Sequence, residues 1–488
     1  MQSVAEFLRK NLSNQHYGLI LWISPETPGN VIGGLGQVST YVPALLAKKG
    51  WFIVQIGRGV PFKTFKENYL ILRDPFLQNQ VYPQDSGLED QAIYSLADFL
   101  NQQCAKIFSV IQDIRAGLTS LRKDFPLFFI AHDHFVEPGL MQLFNDLRIN
   151  GFKIIVEIHN EILGAYLGTL LGEKWNQKTI NLVKKAKKTI NKSSRHKREL
   201  SLFNRVREGM IDALLAPSQA MLDHYKQVYQ LPDINMFRAP NGVPKDVFKP
   251  KPNQSIKENI LKRKQGVCAW IGRPVPEKGL TQLFEELPST YRAFVGLSLN
   301  DYVIMITNYA AQAKKKILVF TTTEPKNKLH ENVIVDTRTI PTSRPKPEKF
   351  KEVLETFDFS PYDIIECDFW MPKTDLLSNI TVFVGNSLYE PSGIIQLEAT
   401  GTYTPSIVSK QTTLDGWPRS GMSEYYPNEK GIVTTFPEQK GSLKEALIKF
   451  LDEDFLEQKR RESSMLRDNI TWEYSVQTFW IPFLRNMS

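Results

Sequence analysis

The chain has 488 residues, more than one ordinary hydrophobic core accommodates, and at about 100–200 residues per domain it should form two large domains. With 42% hydrophobic and 23% charged residues it reads as globular, not disordered, and the net charge of +8 favours an anionic partner: a nucleotide, a phospholipid surface or nucleic acid. No run reaches the 18 or so apolar residues of a spanning helix, and the N-terminus lacks the apolar core of a signal peptide, so a cytoplasmic location is expected. Cys104, Cys268 and Cys367 lie far apart with no CxxC pair, which suggests neither a disulfide framework nor a zinc site.

Val4, Phe7, Leu8 and Leu12 recur at helical spacing, so a short amphipathic helix precedes the first strand, Leu19 to Ile23. The glycine- and proline-rich stretch from Ser24 to Gly36 reads as a loop, followed by a helix from Val38 to Lys49 and a strand from Trp51 to Ile56. Leu127–Ala131, Phe152–Ile158 and Ala213–Ala216 are further buried strands, and the βαβα rhythm implies a parallel sheet with helices on both faces. The stretch from Pro240 to Asn253, with four prolines, reads as an extended linker. Strand patterns resume at Val267–Ile271, Ala293–Leu297, Ile317–Phe320, Val333–Val335, Ile364–Glu366 and Thr381–Val384, predicting a second doubly wound domain. The aromatic segment Asn469–Arg485 needs a large surface to bury against and is expected to return to the first domain. The expected organisation is therefore residues 1–245, residues 246–468, and a C-terminal helix, 469–488, packed back on the first domain.

Open parallel sheets bind ligands beyond the carboxyl ends of their strands, and the informative residues sit in such loops. Gly34, Leu35 and Gly36 let backbone N–H groups approach an anion at a helix start, because glycine has no Cβ in the way; a plain tight turn is the competing reading. Arg273 and Lys278 flank a proline-stiffened turn after a strand, where a guanidinium and an ammonium could clamp a diphosphate; a solvated loop is the alternative. Glu390 and Glu398 are eight residues apart after another strand. With a helix starting near Ser392, Glu390 lies in the loop before it and Glu398 about two turns inside, where one acid could face a sugar and the other a ribose.

In this order the segments resemble the glycogen and starch synthases and the wider group of retaining GT-B glycosyltransferases. Residues 21–50 look like the family's opening strand, GGLG loop and first helix. Ala131-His132-Asp133-His134 is similar to its HDW-type loop, Ile158-His159-Asn160 to its active-site His-Asn, and Pro240-Asn241-Gly242-Val243 to its interdomain turn. Arg273 with Lys278 match the RxxxxK pair, and Glu390 with Glu398 match E-x7-E. The resemblance implies the GT-B fold, two Rossmann-like domains facing a central cleft, and transfer of a hexose from a UDP-, GDP- or ADP-sugar with retention of configuration. It implies that Arg273 and Lys278 bind the pyrophosphate, Glu398 the ribose, and Glu390 the transferred sugar. His159 would lie near the reacting sugar, with Asn160, Gly393, Ile394 and the backbone of Gly34, Leu35 and Gly36 completing the donor site. No metal or other cofactor is expected, because side-chain cations and helix dipoles stabilise the leaving group.

There are departures. Glycogen and starch synthases carry a lysine two residues before the GGLG loop and an aspartate just after it, where this chain has Val31 and Gln37. The family's downstream glycine pair is replaced by Thr412-Thr413-Leu414, so the sugar and nucleotide stay open. The competing readings are a sugar-nucleotide-binding protein of the same fold without transferase activity, and a sugar-nucleotide epimerase. A metal-dependent GT-A enzyme would need a DxD motif after a strand, and the match, Asp452-Glu453-Asp454, lies in charged helical sequence. The acceptor is open among a glucan, a lipid, a small molecule and a protein, including a host protein if the chain is delivered into a host cell. Eight cations between Lys184 and Arg198 read as a solvated helical face, with peripheral docking to an anionic membrane or an acidic partner as the alternative; nucleic acid is not the expected partner.

Overall fold

A computed structural model describes residues 4–28, 34–59, 64–66, 68–76, 86–119, 121–159, 161–173, 189–190, 193–232, 235–273, 275–297, 315–320, 333–336, 347–368, 373–410, 413–414, 417–418, 420–437 and 439–488. The chain divides into two compact units. One comprises Met1–Ile162, Thr189–Gly242 and Trp472–Ser488, the other Leu163–Lys188 and Val243–Thr471.

In the first unit, β1 (Leu19–Ile23), β2 (Phe52–Arg58), β3 (Thr64–Lys66), β4 (Tyr69–Asp74), β5 (Leu127–His132), β6 (Lys153–Glu157), β7 (Ala213–Ala216) and β8 (Met236–Arg238) form one sheet. Its order is β3-β4-β2-β1-β5-β6-β7-β8, parallel except for the β3–β4 pair. The run Leu-Ile-Leu-Trp-Ile of β1 is buried throughout, as suits a central strand covered on both faces. β3, β4 and the long helix Ser86–Arg115 come from a stretch whose sequence gave no family likeness.

The helix after β1 runs from Gly34 to Lys48, so Gly34, Leu35 and Gly36 form its first turn and not the end of a loop. Leu35, Val38 and Val42 are all buried, and that apolar face draws the glycines into the helix. Pro43 stands inside this helix and lacks the N–H that would meet the Ser39 carbonyl. Gln55 of β2 supplies the missing donor, its Nε2 lying 2.8 Å from that oxygen.

The C-terminal segment joins a short helix, Trp472–Ser475, a turn of π-helix, Val476–Trp480, and a last helix, Ile481–Met487. The widened turn lets three aromatics reach different partners. Trp472 stacks on Tyr41 at 5.9 Å, Trp480 meets Trp22 at 5.2 Å, and Phe483 meets Phe237 at 4.8 Å.

In the second unit, β9 (Gly266–Ile271), β10 (Tyr291–Leu297), β11 (Ile317–Phe320), β12 (Val333–Asp336), β13 (Ile364–Asp368), β14 (Val382–Gly385) and β15 (Ser406–Ser409) are joined by a hairpin of β16 (Thr413–Leu414) and β17 (Trp417–Pro418), then β18 (Ile432–Thr435). The main sheet is all parallel, in the order β12-β11-β13-β10-β9-β14-β15-β18. The linker stretch 243–253 is largely exposed but anchored at two points. Val243 bridges to Thr471, and Phe248 is buried in a core with Leu397, Tyr425 and Leu466.

No helix among the described residues is long and apolar enough to cross a membrane.

Candidate active site

The strand order of the second unit reverses beside β9: the chain steps from β9 to β10 on one side and later to β14 on the other. In open parallel sheets, the crevice at the carboxyl ends of two such strands is where ligands bind. The loop after β9 carries Arg273 and Lys278, and the loop after β14 carries Glu390. The two loops are stitched together. Leu388 N–H donates to Glu277 O at 2.7 Å, and Asn386 Nδ2 donates to Gly279 O at 3.0 Å. Gly279 has φ +72°, and a Cβ there would lie 2.3 Å from Asn386 O, so both its conformation and the close approach require glycine.

Across this seam Lys278 Nζ lies 2.6 Å from Glu390 Oε2, and each side chain is 19% exposed. Gly393 N–H donates to Glu390 Oε1 at 3.1 Å, so both carboxylate oxygens are held. Arg273 is exposed. The helix Ile162–Glu173 is close-packed to the same loops, for a Cβ at Gly164 or Gly168 would lie 2.2 or 2.8 Å from Tyr389. Thr169 Oγ1 donates to Glu277 Oε2 at 2.9 Å.

Glu398 occupies a different environment. Its helix is short, Ile395–Gly401, so Glu398 lies about one turn inside, not two. Gly393 at φ +66° and the Gln396 side chain, whose Nε2 donates to Gly393 O at 3.1 Å, delay the helix start. The carboxylate is buried and receives Lys373 Nζ on both oxygens, at 2.9 and 2.7 Å. Burial pushes its pKa up, and the Lys373 charge only partly offsets this. Lys373 carries no motif and is a residue that sequence reasoning missed.

The first sheet reverses beside β1, between β1 and β5. The end of β5 and its successor supply His132 and Asp133, while the end of β6 and the residues after it supply Glu157 and His159. Parallel pairing sets His132 directly opposite Glu157. Asp133 adopts φ +55°, uncommon for a residue with a Cβ, and its Oδ1 accepts from His159 N–H at 2.8 Å. Glu157 is buried between two imidazoles, with Oε2 3.2 Å from His132 Nδ1 and Oε1 3.2 Å from His159 Nε2. Burial lowers the His159 pKa, but the Glu157 charge, aided by Asp133 and Glu26, overcomes it and holds the imidazole above its ordinary value. Burial and then the His159 charge hold His132 well below. These three side chains could hold a metal ion, since their ligand atoms all lie within 4.8 Å of one another. No local spacing signals this cluster, because strand pairing, not sequence order, brings the residues together.

No protein-family model matches the chain, and no curated protein matches it in sequence. Solved structures do match in three dimensions. A sucrose-phosphate synthase from Thermosynechococcus elongatus superposes with a TM-score of 0.60 at 13% identity, over 96% of this chain and 99% of that one. The catalytic domain of starch synthase IV from Arabidopsis thaliana, bound to ADP and acarbose, gives 0.56 at 12% identity, over 96% and 99%. A glycosyltransferase from Rickettsia africae gives 0.55 at 11%, over 98% and 100%. The fold is GT-B.

On this GT-B chain the structure brings Lys278 and Glu390 together, with Gly393 beside them, and sets Glu398 apart on Lys373. Ile394 directly precedes the Glu398 helix. Asn160 lies outside the described residues, as do Lys184, Lys185, Lys187, Lys188 and Lys192 of the basic segment. Of the cations that are described, Arg198 is turned inward, 11% exposed and 3.0 Å from Asp90. The Asp452-Glu453-Asp454 match is a helix cap: Asp452 Oδ1 accepts from Phe455 N–H at 2.9 Å.

Proposed function

We propose that the chain is a retaining glycosyltransferase that moves a sugar from a nucleoside diphosphate sugar to an acceptor, with no metal at the diphosphate. The observation that carries this reading is the Lys278–Glu390 pair, 2.6 Å apart in the crevice where the second sheet reverses. Lys278 and Arg273 bind the pyrophosphate and stabilise the charge that grows on the departing nucleotide. Glu390 contacts the transferred sugar, Glu398 the ribose, and Gly393 and Ile394 present backbone to the donor. His159 lies near the reacting sugar, with Asn160 and the backbone of Gly34, Leu35 and Gly36 completing the donor contacts.

In the step itself the bond from the anomeric carbon to the phosphate oxygen breaks. The acceptor oxygen bonds to that carbon on the same face, and the acceptor's proton passes to the departing phosphate oxygen. A nucleoside diphosphate donor is further supported by the starch synthase neighbour, which binds ADP.

The test is release of UDP, GDP and ADP from a panel of sugar nucleotides, with and without cell lysate as acceptor source and in the presence of EDTA. One nucleotide should be released, EDTA should change little, and NMR of the product should show the donor's anomeric configuration. No release from any donor, or release that depends on manganese, would overturn the reading.

A further inference from the structure

We propose that His132, Glu157 and His159 form a binding site for a divalent transition-metal ion of the zinc class. Three observations on these residues point the same way. The first is the donor set. Two imidazole nitrogens and one carboxylate suit zinc and its neighbours, whereas calcium and magnesium prefer oxygen alone. Three protein ligands leave a fourth tetrahedral position for water.

The second is spacing. Ligand atoms about 2.0–2.2 Å from a tetrahedral zinc lie about 3.3–3.6 Å from one another. The two nitrogen-to-oxygen contacts, 3.2 Å each, reach different oxygens of Glu157, His132 Nδ1 to Oε2 and His159 Nε2 to Oε1, and one ligand atom from each residue lies within 4.8 Å of the other two. Reaching tetrahedral spacing needs a closure of no more than about 1.5 Å. His159, at 10% the most exposed side chain of the three, gives both the freedom to move and a path for entry.

The third is that these buried atoms are close without being satisfied. Both contacts are ion-pair approaches at 3.2 Å, yet neither is aligned as a hydrogen bond, so both Glu157 oxygens, His132 Nδ1 and His159 Nε2 lack an aligned hydrogen-bond partner. Buried polar atoms are normally paired, and leaving one unpaired costs about 1–3 kcal/mol. A cation at their focus satisfies all of them at once. The site is also walled: Trp22 packs on the His132 ring at 4.6 Å and Trp480 on Trp22 at 5.2 Å, excluding water from that side.

The strand register creates the site. His132 and Glu157 end neighbouring strands as direct partners, and the Asp133 carboxylate fixes the His159 backbone beside them. A bound ion uses His159 Nε2, so, on the proposed function, the ion and any sugar contact by that nitrogen exclude each other.

The experiment loads metal-stripped full-length protein with Zn2+ alone, then measures retained metal by elemental analysis after dialysis and affinity by competition with a chromogenic chelator. One tightly held equivalent is expected, undisturbed by millimolar Mg2+. Co2+ in its place should give the strong visible absorption of four- or five-coordinate cobalt. His132→Gln and Glu157→Gln should each weaken Zn2+ binding at least tenfold, and His16→Asn should not. If either cluster variant fails to fold, the wild-type stoichiometry and cobalt spectrum decide alone. No retained zinc, a six-coordinate cobalt spectrum, displacement by Mg2+, or zinc binding unchanged in folded His132→Gln and Glu157→Gln would each overturn the proposal. None of these readouts depends on sugar transfer, so the proposal and the transferase reading fail separately.

Discussion

Two glutamates eight residues apart, Glu390 and Glu398, each pair with a lysine, and the two pairs differ in the fold. Lys278–Glu390 lies at a crevice, both partners 19% exposed, with one contact between them. Lys373–Glu398 is gripped through both carboxylate oxygens, and the Glu398 side chain is 3% exposed. The first pair shares a single contact, which a bound ligand could replace with another charge-assisted contact. The second cannot be broken without leaving a charge in the interior. The two carboxylates therefore differ in how much they also hold the fold, and substitutions at Glu398 should cost stability that substitutions at Glu390 do not.

The largest effect should come from Glu398→Ala, which leaves Lys373 facing a buried gap. Breaking a buried pair costs about 3 kcal/mol, somewhat relieved here because Lys373 is 23% exposed. A fall in melting temperature of roughly 5–10 °C is expected by calorimetry. A shift under about 2 °C would erase the contrast between the pairs.

Lys278→Ala should leave the melting temperature nearly unchanged and lower kcat about a hundredfold, the effect of removing one group that stabilises a developing negative charge. Steady-state kinetics with the donor identified by nucleotide release checks this. Normal turnover would remove Lys278 from the site.

The seam beneath Lys278 can be probed through two glycines in left-handed conformations. Gly441 has φ +90° with open space around it, whereas a Cβ on Gly279 meets the Asn386 carbonyl oxygen at 2.3 Å. Gly441→Ala should cost about 1 kcal/mol from conformation alone, and Gly279→Ala about 2 kcal/mol or more in urea unfolding. Equal costs would mean that the two loops are not tightly joined.

The smallest effect is a change of pH slope in the first unit. Burial, and then the neighbouring Glu161 charge, hold the Glu199 carboxyl well above its ordinary value. Between its unfolded pKa near 4.5 and the raised folded value, the folded state binds the extra proton, so stability falls as pH rises through that window. Glu199→Gln should flatten this decline, seen as a smaller difference in melting temperature between pH 5 and pH 8. A steeper decline in the variant would reverse the assigned sign.

Much of the architecture was legible because central parallel strands are continuous apolar runs. The run at β1 and those at β7 and β11 stand out on hydrophobicity alone. The short strands β3 and β8 did not, since three-residue edge segments carry too little pattern. Arg273, Lys278 and Glu390 were legible as charged residues in loops after strands, and Glu398 as an acid inside the helix that follows. Their partners were not. Lys373 reaches Glu398 from 25 residues away in sequence, and Glu157 reaches His132 only through strand register. In the sequence, the glycines at Gly34 and Gly36 mask an apolar helical face that continues through Leu35 and Val38.

The most direct test of the central claim compares Glu390→Gln with Glu398→Gln in steady-state kinetics, with unfolding followed on the same samples. Glutamine keeps size and hydrogen-bonding capacity while removing the charge, so both variants should fold. If Glu390 contacts the transferred sugar as proposed, Glu390→Gln should lose kcat by roughly ten- to a hundredfold, as expected for a charge-assisted contact worth about 1.5–3 kcal/mol in the transition state. If Glu398 contacts the ribose as proposed, Glu398→Gln should mainly raise the donor KM, because that contact is made equally in ground and transition states. Normal kcat in Glu390→Gln, with kcat abolished at saturating donor in Glu398→Gln, would contradict the assignment of the two pairs and the proposed glycosyl transfer with it.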